Sequence, residues 1–549
     1  MKTTTIQMIQ GDGVRSPMAG RLVRVTGVVT GETRKGFFLE DPEGDPEGAA
    51  SRGICVFESR RRPPLGSVVE VEGRVLDYLP HEDERPTTQI DMTEFRVSQE
   101  RAPLWTPVWL SAANLAKTNA ELAQYLNSHE GMLVGIRKGA TLIAPSNPFG
   151  DNVAVPADMD IPRTLHGGVS IQADNPHRWY PSFRFIRYAR APIVNVGSKL
   201  AESVIGPLNY RSAAFQIAAL GDLEVESRPV RPEATRLVRD EDSLRVLTLN
   251  GFNLDRRHED PDKVQDRRRD VDDDVGSGRF RALATAIVRQ AAGPEIIALQ
   301  EIQDDDGAEI SERVSAAATY RKLISEVRKL GGPDYHWADC PPESDSDGGQ
   351  PGGNIRNGFI FDASRVDLSR SSLDRIGDGS QEFEGSRKPL VGRFVDRRTG
   401  RAIAIINVHL ASKRHQRGIF APENPGFDPR LSTRVRQAER IARVLDEFDD
   451  NGIDYYVTGD FNDHEFSETL AALLDRGRVN LAERVPVNAR YDYNHRGISQ
   501  VLMHGVVSSR QAADPGVDYE ILHGNELIGV KPGELGNKPT DHAYVMARL

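Results

Sequence analysis

The 549-residue sequence contains only two cysteines, Cys55 and Cys340. This scarcity excludes a disulfide framework and a metal site built on several thiolates, although one bridge between the two is still compatible with the sequence. No apolar run is long enough to cross a membrane. The first residues, MKTTTIQMIQGDG, lack the apolar segment of a secretory signal. As written, the sequence predicts a cytoplasmic protein without membrane association, or an extracellular one if a signal was removed.

The chain also lacks an excess of positive charge, because 70 Lys and Arg face 81 Asp and Glu, and most of the net charge of −11 lies after residue 240. An acidic half of this kind does not attract polyanions by its overall field. It is compatible with an acidic metal site, where a bound cation reverses the local sign of the charge. The chain is too long for one hydrophobic core, so we expect roughly two to four domains.

The first hundred residues read as short strands separated by glycine and proline. The pattern G-x-x-V-x-V-x-G-x-V begins at Gly20 and again at Gly66, and it has the period of a β-strand. Short strands with glycine at the bends predict a small OB-type β-barrel over residues 1–104. A looser echo of the pattern predicts a second β-rich, degenerate OB-like domain over residues 105–225.

Residues 226–243 are charged, contain proline and lack an apolar period, which is typical of a linker. Over residues 244–549, strand-like runs alternate with helix-like runs, and this alternation predicts a layered α/β or α+β domain. The stretch Asp255–Gly278 is a very charged insertion, and the simplest interpretation is a solvated loop.

Five short segments of the second half place polar residues directly after apolar strands. Because strand ends meet at one edge of an open sheet, these side chains are expected to form one oxygen-rich pocket. Mg²⁺ prefers such ligands, and two histidines in the set could transfer protons near neutral pH. Each segment alone is more often a cap, a turn or a core residue, so only the ordered set is specific. The set is Asn250, Glu301, His409, Asp460 with Asn462, and Asp541 with His542.

This ordered set resembles the DNase-I-like endonuclease/exonuclease/phosphatase superfamily over about residues 243–549. The front of the chain, with Ile9-Gln10-Gly11 and Gly36-Phe37-Phe38-Leu39, is similar to the OB-fold module of large bacterial extracellular nucleases. The resemblance implies an α+β fold class, in which a four-layer α/β sandwich follows one or two small all-β OB-like domains. It also implies hydrolysis of phosphate esters with a divalent metal.

The resemblance assigns metal and water binding to five of these residues. Glu301 would hold the metal together with Asn250 and Asp541. The expected ion is Mg²⁺, with Mn²⁺ or Ca²⁺ as alternatives. Asp460 and Asn462 would orient the attacking water or hold a second metal.

The remaining implied roles concern proton transfer and phosphate binding. His542 would act as general base or stabilise the transition state, and His409 would protonate the leaving oxygen. Arg387 and Lys413 would clamp phosphate, although an exposed basic residue is the simpler interpretation of either.

One position departs from the family pattern. Members usually carry an aspartate that hydrogen-bonds the histidine of the terminal Asp-His pair, and here Met503 stands at the expected position. A methionine cannot fix the tautomer of an imidazole. Three interpretations remain open: Asp492 or Asp518 supplies the carboxylate, His542 works with poorer orientation, or activity is lost.

The segment Arg178–Arg190 mixes arginines with aromatic residues, which suits phosphate contacts and base stacking. Arg184 and Arg187 are the candidate contacts, and a strand whose aromatic residues face the core is the competing interpretation. We therefore expect a nuclease that acts on DNA, or on RNA, as a monomer with no protein partner. The alternatives are a hydrolase of a small or lipid phosphate ester and a catalytically impaired nucleic-acid-binding protein.

Overall fold

The structure is a computed structural model, and it describes residues 3–33, 35–58, 61–79, 84–100, 102–185, 191–240, 242–531 and 538–549. Three β-rich units follow one another along the chain, and the last one also carries the longest helices. Within the described ranges, no helix is both long and apolar enough to span a membrane.

The first unit is a closed barrel of five strands, preceded by a short helix. Valines at alternate positions of the first strand, including Val23 and Val25, point into the barrel core because successive side chains of a strand alternate in direction. Ile6 and Ile9 of the helix are buried in the same core. The elements are α1 (Ile6–Gln10), β1 (Leu22–Thr33), β2 (Gly36–Glu40), β3 (Gly53–Phe57), β4 (Val68–Tyr78) and β5 (Thr87–Gln99). The strand order is β1-β2-β3-β5-β4.

In the described residues of the middle unit there are two short helices and ten strands. They are β6 (Val108–Trp109), α2 (Ala112–Leu115), α3 (Asn119–Asn127), β7 (Leu133–Ile136), β8 (Thr141–Leu142), β9 (Asp151–Val155), β10 (Val169–Ser170), β11 (Ser182–Phe185), β12 (Lys199–Leu200), β13 (Val204–Arg211), β14 (Ala214–Ala219) and β15 (Val225–Glu226). Nine strands follow the open path β15-β12-β8-β9-β11-β14-β13-β7-β6. The prediction of a second barrel-like domain is therefore wrong in topology, because the glycine echo encodes strands and turns but not closure.

The barrel is docked tightly on the middle unit. Glu40 of β2 accepts a hydrogen bond from the backbone N–H of Leu133 at 2.6 Å, and the Ser51 hydroxyl donates to the carbonyl of Glu130 at 2.7 Å. A Cβ atom added at Gly53 would lie 2.2 Å from the backbone of Gly131. This close backbone approach explains why both positions are glycine.

The third unit contains two large sheets and the remaining helices. The strands of the first sheet, in spatial order, are β18 (Tyr335–Asp339), β19 (Arg356–Asp362), β17 (Ile296–Ile302), β16 (Arg245–Leu254), β30 (Tyr544–Arg548) and β29 (Asp518–Leu522). Those of the second are β20 (Val366–Leu368), β22 (Leu390–Asp396), β23 (Ala402–His409), β24 (Tyr455–Asp460), β28 (Met503–Val507) and β25 (Val479–Asn480), with β21 (Asp374–Arg375) paired to β22. The helices are α4 (Arg279–Thr285), continued by a π-helical turn at Ala286–Gln290, α5 (Ala317–Lys329), α6 (Leu431–Asp450), α7 (Glu468–Leu473) and α8 (Ser509–Ala512).

The two sheets pack face to face with helices outside them. In β17, Ile296 and Ala298 face the core between the sheets, whereas Ile297 and Leu299 face α4 and α5. On the other side, α6 buries Ala438, Ile441 and Leu445, whose spacing defines one helix face, against the second sheet. The layers therefore run helix, sheet, sheet, helix.

The middle unit and the third unit are joined by more than the chain. Strand β10 pairs with β27 (Ile498–Gln500), which forms a hairpin with β26 (Tyr493–His495) of the third unit. The predicted linker also lies on the third unit, because Leu237 is buried in its core and Glu233 donates a backbone hydrogen bond to His523. The charged residues of this segment are compatible with its packing, because one of its sides faces solvent.

A buried ion pair fixes the start of β16. Glu295, which is fully buried, accepts from the backbone N–H and the guanidinium of Arg245. The change Glu295→Ala should lower the free energy of unfolding of the third unit by about 3–5 kcal/mol, because it leaves a buried charge without its partner. Urea denaturation measures this loss. Asp262→Ala, which breaks an exposed pair with Arg267, should cost less than about 1 kcal/mol. Equal losses in the two variants would contradict the assignment.

Candidate active site

The polar strand ends converge at one edge of the two sheets. Strands β16 and β17 are parallel, as are β23 and β24, and β30 runs antiparallel to β16. The C-terminal ends of four strands and the residues just before β30 therefore share this edge. It collects Asn250, Glu301, His409, Asp460 and the Asp541-His542 pair.

Glu301, Asp460 and Asn250 form the centre of this group. The Asn250 Nδ2 donates to Glu301 Oε1 at 3.1 Å and lies 3.5 Å from Asp460 Oδ2. Its oxygen accepts from the backbone N–H of Phe252 at 2.8 Å. In this arrangement the amide nitrogen of Asn250 faces the two carboxylates, and its oxygen is directed to a backbone N–H. The predicted role of Asn250 as a metal ligand therefore stays a prediction.

His409 completes a set of three converging ligand atoms. Its Nε2 lies 3.7 Å from Glu301 Oε1 and 3.7 Å from Asp460 Oδ2, and the three atoms all lie within 4.8 Å of one another. Within the described part of the chain, its buried Nδ1 has no hydrogen-bond partner. Burial, and then the charge of Arg387, hold the pKa of His409 well below its usual value, so this imidazole is neutral.

Burial raises the pKa of both central carboxyls. For Glu301 the negative charges of Asp541 and Asp460 add to the effect, and for Asp460 the charge of His542 opposes it. One buried carboxylate, one that is mostly buried and a neutral imidazole are a donor set that suits a divalent cation, whose charge removes this penalty. The side chains present therefore fit a bound metal.

A second carboxylate orients His542. Asp492 Oδ2 lies 2.7 Å from His542 Nδ1, and Asp492 Oδ1 accepts from the backbone N–H groups of Leu502 and Met503. The Met503 side chain is buried in the core between the sheets, while Asp518 is exposed and pairs with Arg548. Of the interpretations left open above, the geometry matches the one in which Asp492 takes the place of the family aspartate.

The Asp492–His542 pair points the other imidazole nitrogen towards the carboxylate centre. His542 Nε2 lies 3.8 Å from Asp460 Oδ2. Burial lowers the pKa of His542, but the hydrogen bond with Asp492 and the charges of Asp541 and Asp460 outweigh burial and raise it to about 10.

Tyr493 is a site residue that sequence reasoning missed. Its ring stacks on His542 with centroids 4.7 Å apart and planes at 27°. The ring of His495, two residues further along the same strand, also stacks on Tyr493, with centroids 6.4 Å apart and planes at 15°. The only signal in the sequence is that Tyr493 follows Asp492, one of two candidates for the orienting carboxylate.

A buried amide pair holds the two sheets together beneath the site. Gln300 Nε2 donates to Asn407 Oδ1 at 2.6 Å, and Asn407 Nδ2 donates to the carbonyls of Leu299 and Gly358. Glu301 directly follows Gln300 and adopts a left-handed backbone with φ of 52°. Such a conformation in a glutamate costs free energy of order 1–3 kcal/mol, and strain of this kind clusters at functional sites.

Two of the other predicted site residues lie beside the centre. Asn462 caps the turn after β24, where its backbone N–H donates to Asp460 and its Nδ2 donates to the carbonyl of Leu410. Asp541 lies close enough to Glu301 for its charge to raise the pKa of that carboxyl. Both therefore belong to the group that the sequence predicts.

Arg387 and Lys413 are not the exposed basic residues that the simpler interpretation of the sequence predicts. Arg387 is 5% exposed and donates to the carbonyl of Leu410, next to the carboxylate centre. Lys413 is mostly buried, with its Nζ 2.5 Å from His464 Nε2 and 3.4 Å from Asp463 Oδ1.

The structure describes only part of the arginine-rich segment 178–190, so its two competing interpretations are tested in part. Trp179, Tyr180 and Phe183 are buried in the core of the middle unit, so these aromatic residues follow the core interpretation. Arg187 and the side chain of Arg184 lie outside the described residues, and their contact with substrate stays a prediction.

The charged insertion is more ordered than the solvated loop that we expected. Asp255, Glu259 and Asp274 are each at most 3% exposed, and Asp255, Asp272 and Asp274 bring carboxylate oxygens within 4.8 Å of one another. Arg279 partly compensates this charge through its ion pair with Asp274. The sequence misses this burial because acidic runs are usually solvated.

A family model matches most of the third unit. Residues 249–526 match the Endonuclease/Exonuclease/phosphatase family, and this match spans just over half of the chain. The chain therefore belongs to that family, whose members hydrolyse phosphate esters. Residues 112–228 match a family described as a domain of unknown function, DUF8508. No curated protein matches the chain.

Several solved structures resemble the chain in fold. Humanized D. rerio TDP2 is 16% identical with a TM-score of 0.36, covering 56% of this chain and 98% of that one. The human Nocturnin catalytic domain is 15% identical with a TM-score of 0.36, covering 56% and 93%. A mannosyl-6-phosphatase of Bacteroides thetaiotaomicron is 15% identical with a TM-score of 0.33, covering 56% and 98%. The family assignment rests on the sequence match, because these TM-scores are low.

Metal binding at this edge can be tested without substrate. Adding Mg²⁺ or Mn²⁺ at about 100 times its Kd should stabilise the protein by about 2.7 kcal/mol, which thermal denaturation detects. Glu301→Gln should remove most of this shift because it takes away a central carboxylate. Asp518→Asn, at an exposed position, should keep it. A full shift in Glu301→Gln would place the ion elsewhere, and Asp274→Asn would then test the second acidic group.

Proposed function

We propose that the protein is a divalent-metal-dependent phosphodiesterase that cleaves nucleic acid, with DNA as the first expected substrate and RNA as the second. One observation carries this proposal: two largely buried carboxylates and an oriented histidine, Glu301, Asp460 and His542, meet at a single sheet edge. Family membership adds that the bond cleaved is a phosphate ester.

The metal would be held by Glu301, with Asp460, His409, Asn250 and Asp541 around it. We propose Mg²⁺, with Mn²⁺ or Ca²⁺ as alternatives. When bound, such an ion neutralises charge on the phosphoryl oxygens and stabilises the leaving oxygen.

His542 would act on the reacting phosphate through its Nε2, because Asp492 occupies its Nδ1. The carboxylate fixes the tautomer and stabilises the imidazolium, as the aspartate does in a serine-protease triad. A pKa of about 10 favours the charged form, which supports stabilisation of the transition state over the general-base role. Asp460 and Asn462 would orient the attacking water from the neighbouring strand end.

The role of proton donor that we expected for His409 needs a charged imidazole. Burial and the charge of Arg387 disfavour that form, so we propose that His409 binds metal or substrate as a neutral group. Arg387 is then the residue beside the centre that would hold a phosphoryl oxygen.

The choice of nucleic acid as substrate rests on the front of the chain. The barrel order β1-β2-β3-β5-β4 supports an OB-type module, a fold used to bind single strands. We propose three domains over residues 1–104, 105–225 and 244–549, joined by 226–243. We also propose that the chain belongs with the large bacterial extracellular nucleases that carry an N-terminal OB-fold module.

A small or lipid phosphate ester is the second candidate substrate, because a sugar phosphatase is among the structures of similar fold. The case for a catalytically impaired protein is weakened, since Asp492 supplies the carboxylate that Met503 cannot. Degradation of plasmid DNA with an untouched chromogenic phosphodiester would support the nuclease, and the reverse pattern would support the small ester.

The plasmid assay tests the assigned centre directly. Wild-type protein should degrade plasmid DNA with Mg²⁺ and lose this activity in EDTA. Glu301→Gln and His542→Ala should each remove most of the cleavage while the thermal denaturation profile shows a folded protein. Full cleavage by either variant would refute the site.

The orienting role of Asp492 predicts a separate kinetic effect. Asp492→Asn keeps the shape of the side chain but removes its charge, so kcat should fall by up to about 10⁴-fold, the loss seen for the equivalent change in a serine protease. Asp518→Asn is the matched control and should leave kcat unchanged. If the two variants behaved alike, His542 would not depend on Asp492.

A further inference from the structure

A loop of the third unit, called the catalytic domain below, is anchored inside the middle unit, called the middle domain below. Phe420 lies in the loop between β23 and α6, and it is 4% exposed in the core of the middle domain. Its ring makes edge-to-face contacts with Trp179 at 6.1 Å and Phe215 at 5.1 Å. The middle domain therefore fixes the loop that follows His409.

This anchoring brings side chains of both domains together beside the catalytic centre. His177 of the middle domain lies 3.4 Å from the amide nitrogen of Gln416 and packs against Gly426 of the loop. His495 lies on the hairpin that carries Tyr493, and its exposed ring continues the stack that starts at His542. We define the seam patch as His177, Lys413, Phe427, His464, Phe466 and His495.

One buried donor in the seam patch lacks a partner. The Lys413 ammonium can only donate, so the His464 Nε2 at 2.5 Å accepts and the ring proton sits on Nδ1. His464 is 7% exposed, and its Nδ1 has no hydrogen-bond partner among the residues that the structure describes. A buried donor without an acceptor costs free energy that an anion would recover.

The local charge also favours an anion. Burial, and then the charge of Lys413, lower the pKa of His177. Lys413 contributes to this shift as a nearby cation, in a chain whose net charge is −11.

Two exposed aromatic residues border this positive region. Phe427 is 53% exposed and directly follows Gly426, and Phe466 is 41% exposed with its ring 5.3 Å from that of His464. Aromatic rings beside a basic group are the combination with which proteins stack the bases of a single strand.

We propose that the seam patch binds a nucleotide of a single nucleic-acid strand next to the scissile bond. Lys413 and His464 would hold its phosphate, and Phe427 and Phe466 would stack bases. His177 would make the middle domain a substrate-positioning domain rather than a spacer. The inference rests on the proposed function and adds a preference for unpaired segments, because bases inside a duplex cannot reach the two rings.

Binding is measured without cleavage in Glu301→Gln protein, using fluorescence anisotropy of a labelled single-stranded DNA of about 12 nucleotides and a duplex of the same sequence. When Phe427→Ala and Phe466→Ala are both introduced into this protein, the Kd for the single strand should rise on the order of 10-fold or more. The Kd for the duplex should change less. His177→Ala should also raise the single-strand Kd. Lys413→Gln should lower the slope of log Kd against log salt by about one, the loss of one phosphate contact.

The matched control is His336→Ala, at an exposed position on β18. His336 pairs with Phe361, and Phe361 pairs with Ile296. Because Ile296 and Glu301 are at opposite ends of β17, His336 lies away from the site. This variant should leave every Kd unchanged. Unchanged single-strand binding in the Phe427→Ala, Phe466→Ala protein, with a normal thermal denaturation profile, would overturn the inference. If wild-type protein still cleaved plasmid, the proposed function would survive that result. Absence of both cleavage and oligonucleotide binding would overturn the two together.

Discussion

The structure of the site depends on holding Glu301 and Asp460 together where water is largely excluded. Two carboxylates at such a place repel each other, and burial raises the pKa of each. They belong to different sheets, so the contact between the sheets is what enforces their approach. The amide pair of Gln300 and Asn407 bridges the sheets directly below. Packing energy distributed over the four layers thus sustains a concentration of negative charge that a cation can neutralise.

The sequence predicts much of this arrangement because strand periodicity and strand-end polarity are local signals. Alternating valines predict the first barrel, and the apolar runs before Glu301, His409 and Asp460 predict strands that end at a common edge. Orientation inside the pocket is not local. Asp492 reaches His542 across 50 residues of chain, and nothing in its own neighbourhood marks it. Its selection over Asp518 needs the three-dimensional fold.

Two other expectations fail for a related physical reason. The middle domain has strand-like segments, but their pairing into an open nine-stranded sheet depends on long-range register that glycine spacing does not encode. The charged insertion has the composition of a solvated loop, yet Asp255 and Asp274 are buried beside Arg279. In both cases tertiary contacts override the composition of the segment.

The position of Phe420 has a consequence for how the chain is made. Translation proceeds from the N-terminus, and domains usually fold as units while the ribosome extends the chain at about 5–20 residues per second. The core around Trp179 and Phe215 lacks one of its aromatic rings until a residue far downstream emerges. For roughly 10–40 seconds at those rates, the nascent middle domain would expose an apolar cavity, a feature that chaperones recognise.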